Sequence, residues 1–324
     1  MSTPAQDFEA HLLNNSGRVV FGAEDIIHSI CIALVAQGHV LLQGVPGLGK
    51  TLLAKTLAAQ LGGDFRRIQC TADLMPSDMT GINVFNAVDN KFTFMPGPLF
   101  SDVLLVDEIN RTGPKTQSAL LQAMEEYRVT IDRETHQLSD KFFVIATQNP
   151  HEFEGTYPLP ESQLDRFMLQ LNMTYPSADM EQEVLRRYDT PGSTHKQDID
   201  VPPLPDNMLS AAREQATNIH VSDAIYKYVS DIANASRVHA QVNLGLSSRG
   251  SLALMRAARI ETALRGGDFV TPDDIKAVAN SVMAHRLLLS PDAALEGIES
   301  TSIVEAIFNQ VDVPRDLNAE SATE

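Results

Sequence analysis

The chain has 324 residues, enough for about two domains, and its 43% hydrophobic and 21% charged content is that of an ordinary globular protein. A formal net charge of −17 repels a polyphosphate backbone, and no Lys/Arg run exceeds two residues, so nucleic acid is not an expected partner. No stretch approaches the roughly 18 apolar residues of a membrane span, and residues 1–10 lack the basic start and apolar middle of a signal peptide. The expectation is a cytoplasmic protein without a membrane span.

In chain order the pattern predicts a helix over 25–37, a strand over 40–43 and a helix over 50–61 that stops at Gly62–Gly63. A strand over 65–69 follows, then a hairpin over 81–94 turning at Asp89–Asn90. Next come a strand over 103–107 and a helix over 114–126 with Pro114 in its first turn. A second hairpin over 129–138 turns at Arg133–Glu134, followed by strands over 142–147 and 168–171 and a helix over 178–188. The five main strands are read as short continuous apolar runs, as strands covered on both faces are. Their alternation with helices predicts an α/β fold with a five-stranded parallel sheet.

Composition then changes. Pro191, Gly192, Pro202, Pro203 and Pro205 mark a linker over 191–206, because proline ends helices and stiffens the chain. Beyond it the pattern is helical throughout, over 207–218, 222–239, 248–266, 271–289 and 301–308. Thr271-Pro272-Asp273-Asp274 is a helix start with a cap, a first-turn proline and acids at the positive end. The domain plan is an α/β domain over 1–190, the linker, an all-α domain over 207–312 and a polar flexible tail over 313–324. Cys31 and Cys70 sit in no metal-binding spacing, and none of the nine scattered histidines is read as a metal ligand.

Gly44-Val45-Pro46-Gly47-Leu48-Gly49-Lys50-Thr51 fits GxxxxGK[ST], between a strand and a helix as that motif requires. Its glycines let backbone N–H groups close on phosphate oxygens, and the helix N-terminus adds positive partial charge. Lys50 supplies a cation for the β- and γ-phosphates, the Thr51 hydroxyl is a ligand for Mg²⁺, and Leu52 continues the cradle. The expected ligand is ATP with Mg²⁺.

Val103-Leu104-Leu105-Val106-Asp107-Glu108 is an apolar strand ending in two acids. Ligands of open α/β sheets lie beyond the carboxyl ends of the strands. Asp107 is therefore the candidate for holding Mg²⁺, and Glu108 the candidate for polarising the attacking water. Strand-ending acids are common by themselves; the phosphate loop upstream gives this pair its meaning. Val144-Ile145-Ala146-Thr147-Gln148-Asn149 is a second strand with a polar end. Asn149 could bond the γ-phosphate and the water, or could simply form a turn with Pro150.

These residues resemble the AAA+ ATPases, and within them the MoxR family, over roughly residues 19–289. The resemblance rests on Gln43–Thr51 of the loop, Asp107-Glu108-Ile109-Asn110-Arg111, Pro114–Leu121 and Ala146–Pro150. It is most specific in Glu154-Gly155-Thr156-Tyr157-Pro158-Leu159-Pro160-Glu161, running on to Leu164-Asp165-Arg166-Phe167. It implies an AAA+ domain with hairpin inserts and an all-α helical lid. It implies that Asn149 is the sensor-1 residue, Arg166 the arginine finger and Arg249 the sensor-2 arginine. It also implies adenine near residues 20–22, a hexameric ring and a chaperone-like role toward a protein client, with a von Willebrand factor A domain partner in protein or cofactor maturation. The lid stretch Gly245-Leu246-Ser247-Ser248-Arg249-Gly250 departs from the family's usual small-Ser-Pro-Arg-Ala wording but keeps the arginine.

Read from the residues alone, an arginine supplied by a neighbour can stabilise a phosphoryl transition state by about 10³–10⁵ in rate. Arg166 could instead pair with Asp165, and Arg111 or Arg128 could be the residue supplied in trans. Three functions are then weighed: a ring-forming remodelling ATPase, a nucleotide-dependent scaffold, and a DNA-remodelling motor. Glu108 and Arg166 favour turnover over scaffolding, and the charge disfavours DNA. Magnesium-chelatase-like motor subunits are a related reading, since they share the hairpin inserts.

Overall fold

The computed structural model describes residues 2–17, 19–45, 47–88, 90–149, 155–189 and 199–314. Pro46 of the loop, Asp89 of the first hairpin, Pro150, Glu154, Pro191, Gly192 and the tail from 315 lie outside the described residues.

The first half runs α1 Pro4–Ser16, α2 Glu24–Val35, β1 Val40–Gln43, α3 Lys50–Leu61, β2 Phe65–Gln69, α4 Pro76–Thr80, β3 Gly81–Asn86, β4 Lys91–Pro96, β5 Val103–Asp107 and α5 Pro114–Glu126. It continues with β6 Arg128–Ile131, β7 Glu134–Gln137, β8 Phe143–Gln148, α6 Glu161–Leu164, β9 Leu169–Asn172 and α7 Ala178–Tyr188. The second half holds α8 Met208–Asn218, α9 Asp223–Val238, β10 Val242–Leu244, α10 Ser248–Arg265, α11 Pro272–Met283, β11 Leu288–Leu289, α12 Pro291–Leu295 and α13 Ser300–Gln310.

The main sheet has five parallel strands in the order β2-β5-β8-β1-β9. β8 therefore lies between β1, which feeds the phosphate loop, and β5, which ends in Asp107. Registry is level: Leu41 pairs with Ala146, and Val106 also pairs with Ala146, so the carboxyl ends of these strands form one rim. Successive strand side chains point to opposite faces. Val40, Leu42, Val103, Leu105, Phe143 and Ile145 join α1, α2, α3 and the C-terminal helices in one apolar cluster. Leu41, Leu104, Val106, Val144 and Ala146 join α5 in the other.

Both hairpins form and stand off the sheet as separate two-stranded ribbons. The second turns at Asp132–Arg133, one residue earlier than expected, with Asp132 taking the left-handed conformation (φ 55°). The two ribbons touch: Phe94 stacks on His136 at 4.3 Å between ring centroids, and Asn83 Nδ2 donates to Asp132 Oδ2 at 2.7 Å.

Two expectations need correction. The N-terminal segment, read only as lacking a signal peptide, is a helix. Thr3 and Gln6 form its capping box, Pro4 opens it, and Ala5, Phe8 and Leu12 are fully buried at helical spacing against the C-terminal domain. The helix expected over 271–289 stops at Met283, giving way to a 3-10 turn over Ala284–Arg286. His285 and Arg286 turn inward to bond the backbone of Phe167 and Met168, and Leu288–Leu289 pairs with β10. Of the linker, residues 199–206 run against α3, with Val201 buried and the Leu204 N–H donating to Gln60 O at 2.6 Å.

Candidate nucleotide site

β1 runs into the phosphate loop, and α3 begins at Lys50. Gly47 and Gly49 take left-handed conformations (φ 89° and 80°), and a Cβ on either would meet no atom within 4 Å. Glycine is needed there for backbone shape, leaving the concave side clear. Gly44 is needed for space, because its Cβ would lie 2.6 Å from the carbonyl oxygen of Met173. The opening N–H groups of α3 have no helical partners and face the loop. Lys50 Nζ donates to Gly44 O at 2.5 Å. Burial lowers the Lys50 pKa, and the charges of Asp107 and Glu108 oppose that shift. The ammonium thus shares one electrostatic environment with both acids.

Asp107 is 9% exposed at the tip of β5. Arg67, on neighbouring β2, approaches its Oδ2 with Nε at 2.8 Å and Nη2 at 2.7 Å. Gln69 Nε2 donates to Glu108 Oε2 at 2.9 Å, and Arg111 Nη1 donates to the same oxygen at 3.1 Å. Thr147 Oγ1 donates to Asp107 Oδ1 at 3.0 Å and accepts the Glu108 N–H at 2.9 Å. Glu108 itself has φ 56°, an uncommon conformation for a residue with a Cβ. The Cys70 thiol beside the pair is pushed up to about 12, by burial first and by Asp107 and Glu108 next, so it stays protonated and inert. Asn149 is buried at the end of β8, on the same rim. Val45 and Thr51 lie half-buried in the loop and the first turn of α3.

A cavity of about 600 Å³ opens beside the loop. Val20, Phe21 and Gly22 line one wall, Gly47, Leu48, Gly49 and Leu52 another, and Met173, Tyr175 and Met180 close it. Among the described residues lining it, none comes from the C-terminal domain.

Arg166 and Arg249 lie elsewhere. Arg166 Nε is 3.4 Å from Glu125 Oε2, and Arg249 bonds the other oxygen of the same carboxylate. Glu125 is in the last turn of α5, next to Met124, whose carbonyl bonds His39 Nε2 at 3.1 Å. His39 immediately precedes β1, so this cluster sits at the amino edge of the sheet. The phosphate loop is at the carboxyl edge, a strand height of about 13 Å away. Asp165 does not pair with Arg166; its partner is Arg286, at 2.7 Å. Arg111 bonds Glu108, and Arg128 bonds Glu126 at 3.0 Å.

Sequence reasoning missed Arg67, Gln69 and Thr147. One signal was available for the first two: β2 breaks the apolar pattern read for the main strands, with Arg66, Arg67 and Gln69 polar and exposed. Nothing local marked Thr147 as the residue joining the two acids.

The profile described as "ATPase family associated with various cellular activities (AAA)" matches residues 39–169, and an AAA lid domain profile matches residues 234–307. A relative named Chaperone MoxR1, from Mycobacterium tuberculosis, is 38% identical over 307 residues, covering 92% of this chain and 80% of its own. The chain belongs to the MoxR family of AAA+ ATPases. Another relative, the uncharacterized protein YeaC of Bacillus subtilis, is 47% identical over 297 residues, 92% of each chain. The crystal structure of a Cytophaga hutchinsonii protein described as a candidate ATPase superposes with a TM-score of 0.87 at 37% identity, covering 96% of this chain and 97% of that one. The five-stranded sheet and the helical C-terminal lid are the MoxR-family AAA+ architecture, and the family is a nucleotide-binding one.

Proposed function

We propose that this protein hydrolyses ATP with Mg²⁺ as a ring-forming, chaperone-like remodeller of a protein client. The observation that carries it is the convergence of Lys50, Asp107 and Glu108 at one sheet rim, where both carboxylates act on the same ammonium. Gly44–Thr51 and Leu52 hold the triphosphate, and the adjoining cavity at Val20–Gly22 takes the adenine. The Thr51 hydroxyl and the Asp107 carboxylate are hard oxygen donors of the kind Mg²⁺ takes beside phosphate oxygens and water. When bound, Mg²⁺ neutralises developing phosphate charge. Glu108 orients and deprotonates the attacking water, and Asn149 holds the water against the γ-phosphate.

Arg166 and Arg249 lie at the opposite edge of the sheet from their own chain's loop. That separation supports a role in trans, in a closed ring such as a hexamer, where this edge of one subunit meets the nucleotide of the next. Glu125 keeps the pair in place. The first ribbon offers exposed apolar side chains, Phe85 at 50% and Phe92 at 71%, which supports client contact there. The name of the Mycobacterium relative supports a protein client. A von Willebrand factor A domain partner, a role in metalloenzyme or complex maturation and a cytoplasmic site belong to the same reading.

The test is phosphate release under saturating ATP and Mg²⁺, with particle mass measured in parallel. Wild-type protein should turn over as an oligomer, and Arg166→Ala should bind nucleotide without turning over. Turnover by a strictly monomeric protein would sink the ring reading.

A further inference from the structure

The lid grips the Arg166 turn through one buried side chain. Arg286, 5% exposed, sits in the 3-10 turn that ends α11. Its Nε donates to Asp165 Oδ1 at 2.7 Å. Its Nη2 donates to Phe167 O at 2.6 Å and to Asp165 O at 3.3 Å, and its Nη1 donates to Met168 O at 3.1 Å and to Val282 O. One guanidinium therefore holds the Asp165 carboxylate and three backbone carbonyls on either side of Arg166. Two further lid residues assist: Ser247 Oγ donates to Asp165 Oδ2 at 2.8 Å, and His285 Nε2 donates to Phe167 O at 3.1 Å. By contrast, the Arg166 side chain bonds no residue of its own turn, and its ion pair is with Glu125 on α5.

A buried ion pair is weak evidence for stability, since apolar packing of equal volume often serves as well. What a planar, five-donor fork supplies is geometry. Here that geometry is spent on the four residues 165–168, and it comes from a domain that lines no part of the chain's own nucleotide cavity among the described residues.

We propose that Arg286 is a positioning residue that locks the Asp165–Met168 turn to the lid, so that the lid sets where Arg166 is presented. The lid and the Arg166 turn then move as one body, and the lid position of one subunit governs hydrolysis in the next. This rests on the reading of Arg166 as an arginine supplied in trans.

The experiment compares Asp165→Asn, Arg286→Gln and Arg286→Lys with Arg166→Ala. Folding is checked by circular dichroism; if Arg286→Gln does not fold, the near-isosteric Asp165→Asn carries the test. Asp165→Asn and Arg286→Gln should lower kcat by about tenfold or more, with KM and nucleotide Kd within about twofold, because only transition-state positioning is lost. Arg286→Lys should fall between these and wild type. Each variant is then mixed with Glu108→Gln, which brings an intact Arg166 but no turnover of its own. The Asp165→Asn and Arg166→Ala mixtures should both regain phosphate release. Wild-type kcat, lost nucleotide affinity, or an Asp165→Asn mixture that stays silent while the Arg166→Ala mixture recovers would overturn the proposal. An Arg166→Ala mixture that stays silent removes the trans reading itself, and the proposal with it.

Discussion

Thr147 Oγ1 donates to Asp107 Oδ1 at 3.0 Å, and in the same position it accepts the N–H of Glu108 at 2.9 Å. One hydroxyl from β8 thus orients two consecutive acids at the end of β5, the second of them in a left-handed conformation. Thr147→Val keeps the shape but removes both bonds and leaves the Glu108 N–H without its acceptor. An unpaired buried donor costs about 1–3 kcal/mol. Denaturant melts should show that loss, and turnover should fall about tenfold or more. Unchanged turnover would mean that the acids hold their geometry without Thr147.

Lys50→Ala should abolish detectable ATP binding in calorimetry. The Lys50 ammonium is half-buried beside Asp107 and Glu108 and is the cation at the loop. Wild-type affinity in this variant would contradict the assignment of the cradle.

Glu108→Gln should bind ATP normally and hydrolyse it at least about 10²-fold more slowly, the scale expected when a general base is removed. Gln69 and Arg111 both bond the same oxygen of the Glu108 carboxylate, and an amide oxygen placed there can keep both contacts. Normal phosphate release would exclude Glu108 as the base.

His39 should make the protein acid-sensitive. Its Nδ1 accepts the Val144 N–H at 3.1 Å and its Nε2–H donates to Met124 O at 3.1 Å, so the buried ring is held neutral. Burial lowers its pKa to about 4. The unfolded chain takes up the proton near pH 6.5 and the folded chain only near 4. Stability from this site is full above pH 6.5 and is lost as pH falls toward 4. The loss is on the order of 3 kcal/mol at about 1.36 kcal/mol per unit. Denaturant titrations of wild type and His39→Gln between pH 7 and pH 4 should differ in slope; identical slopes would refute this.

His28 gives the opposite pH dependence. Its ring bonds Glu9 of α1 and, at 2.7 Å, Glu261 of α10, and these two carboxylates raise its pKa to about 10 against the cost of burial. The contribution is complete below pH 6.5 and is shed as pH rises through about 10. Melting temperature should therefore fall from pH 6.5 to pH 10 in wild type and less so in His28→Gln. A wild-type melting temperature that stays flat over this range would remove the bridge between the N-terminal helix and the lid.

Much of the site was legible because its signals are local. The loop glycines, Lys50 and Thr51 are contiguous, and Asp107 and Glu108 end a continuous apolar run. All five main strands were placed to within one residue of their start; for β1, β5 and β8 the reason is the same, since a strand covered on both faces admits only apolar side chains. Helix α1 was missed because its stripe of Ala5, Phe8 and Leu12 is narrow, and its burial depends on a lid that follows some two hundred residues later.

By itself the sequence determined the candidate phosphate loop, the acidic pair at a strand end, the parallel α/β plan and the helical domain behind it. Each follows from residue type and short-range period, which act over one strand or one helical turn. Only the tertiary structure decided that Thr147 and Arg67 orient the acids, that Glu125 joins Arg166 to Arg249, and that Asp165 belongs to Arg286 rather than to its neighbour. Those partners are 39 to 124 residues apart. Sheet order and the docking of the lid bring them together, and neither leaves a periodic trace along the chain.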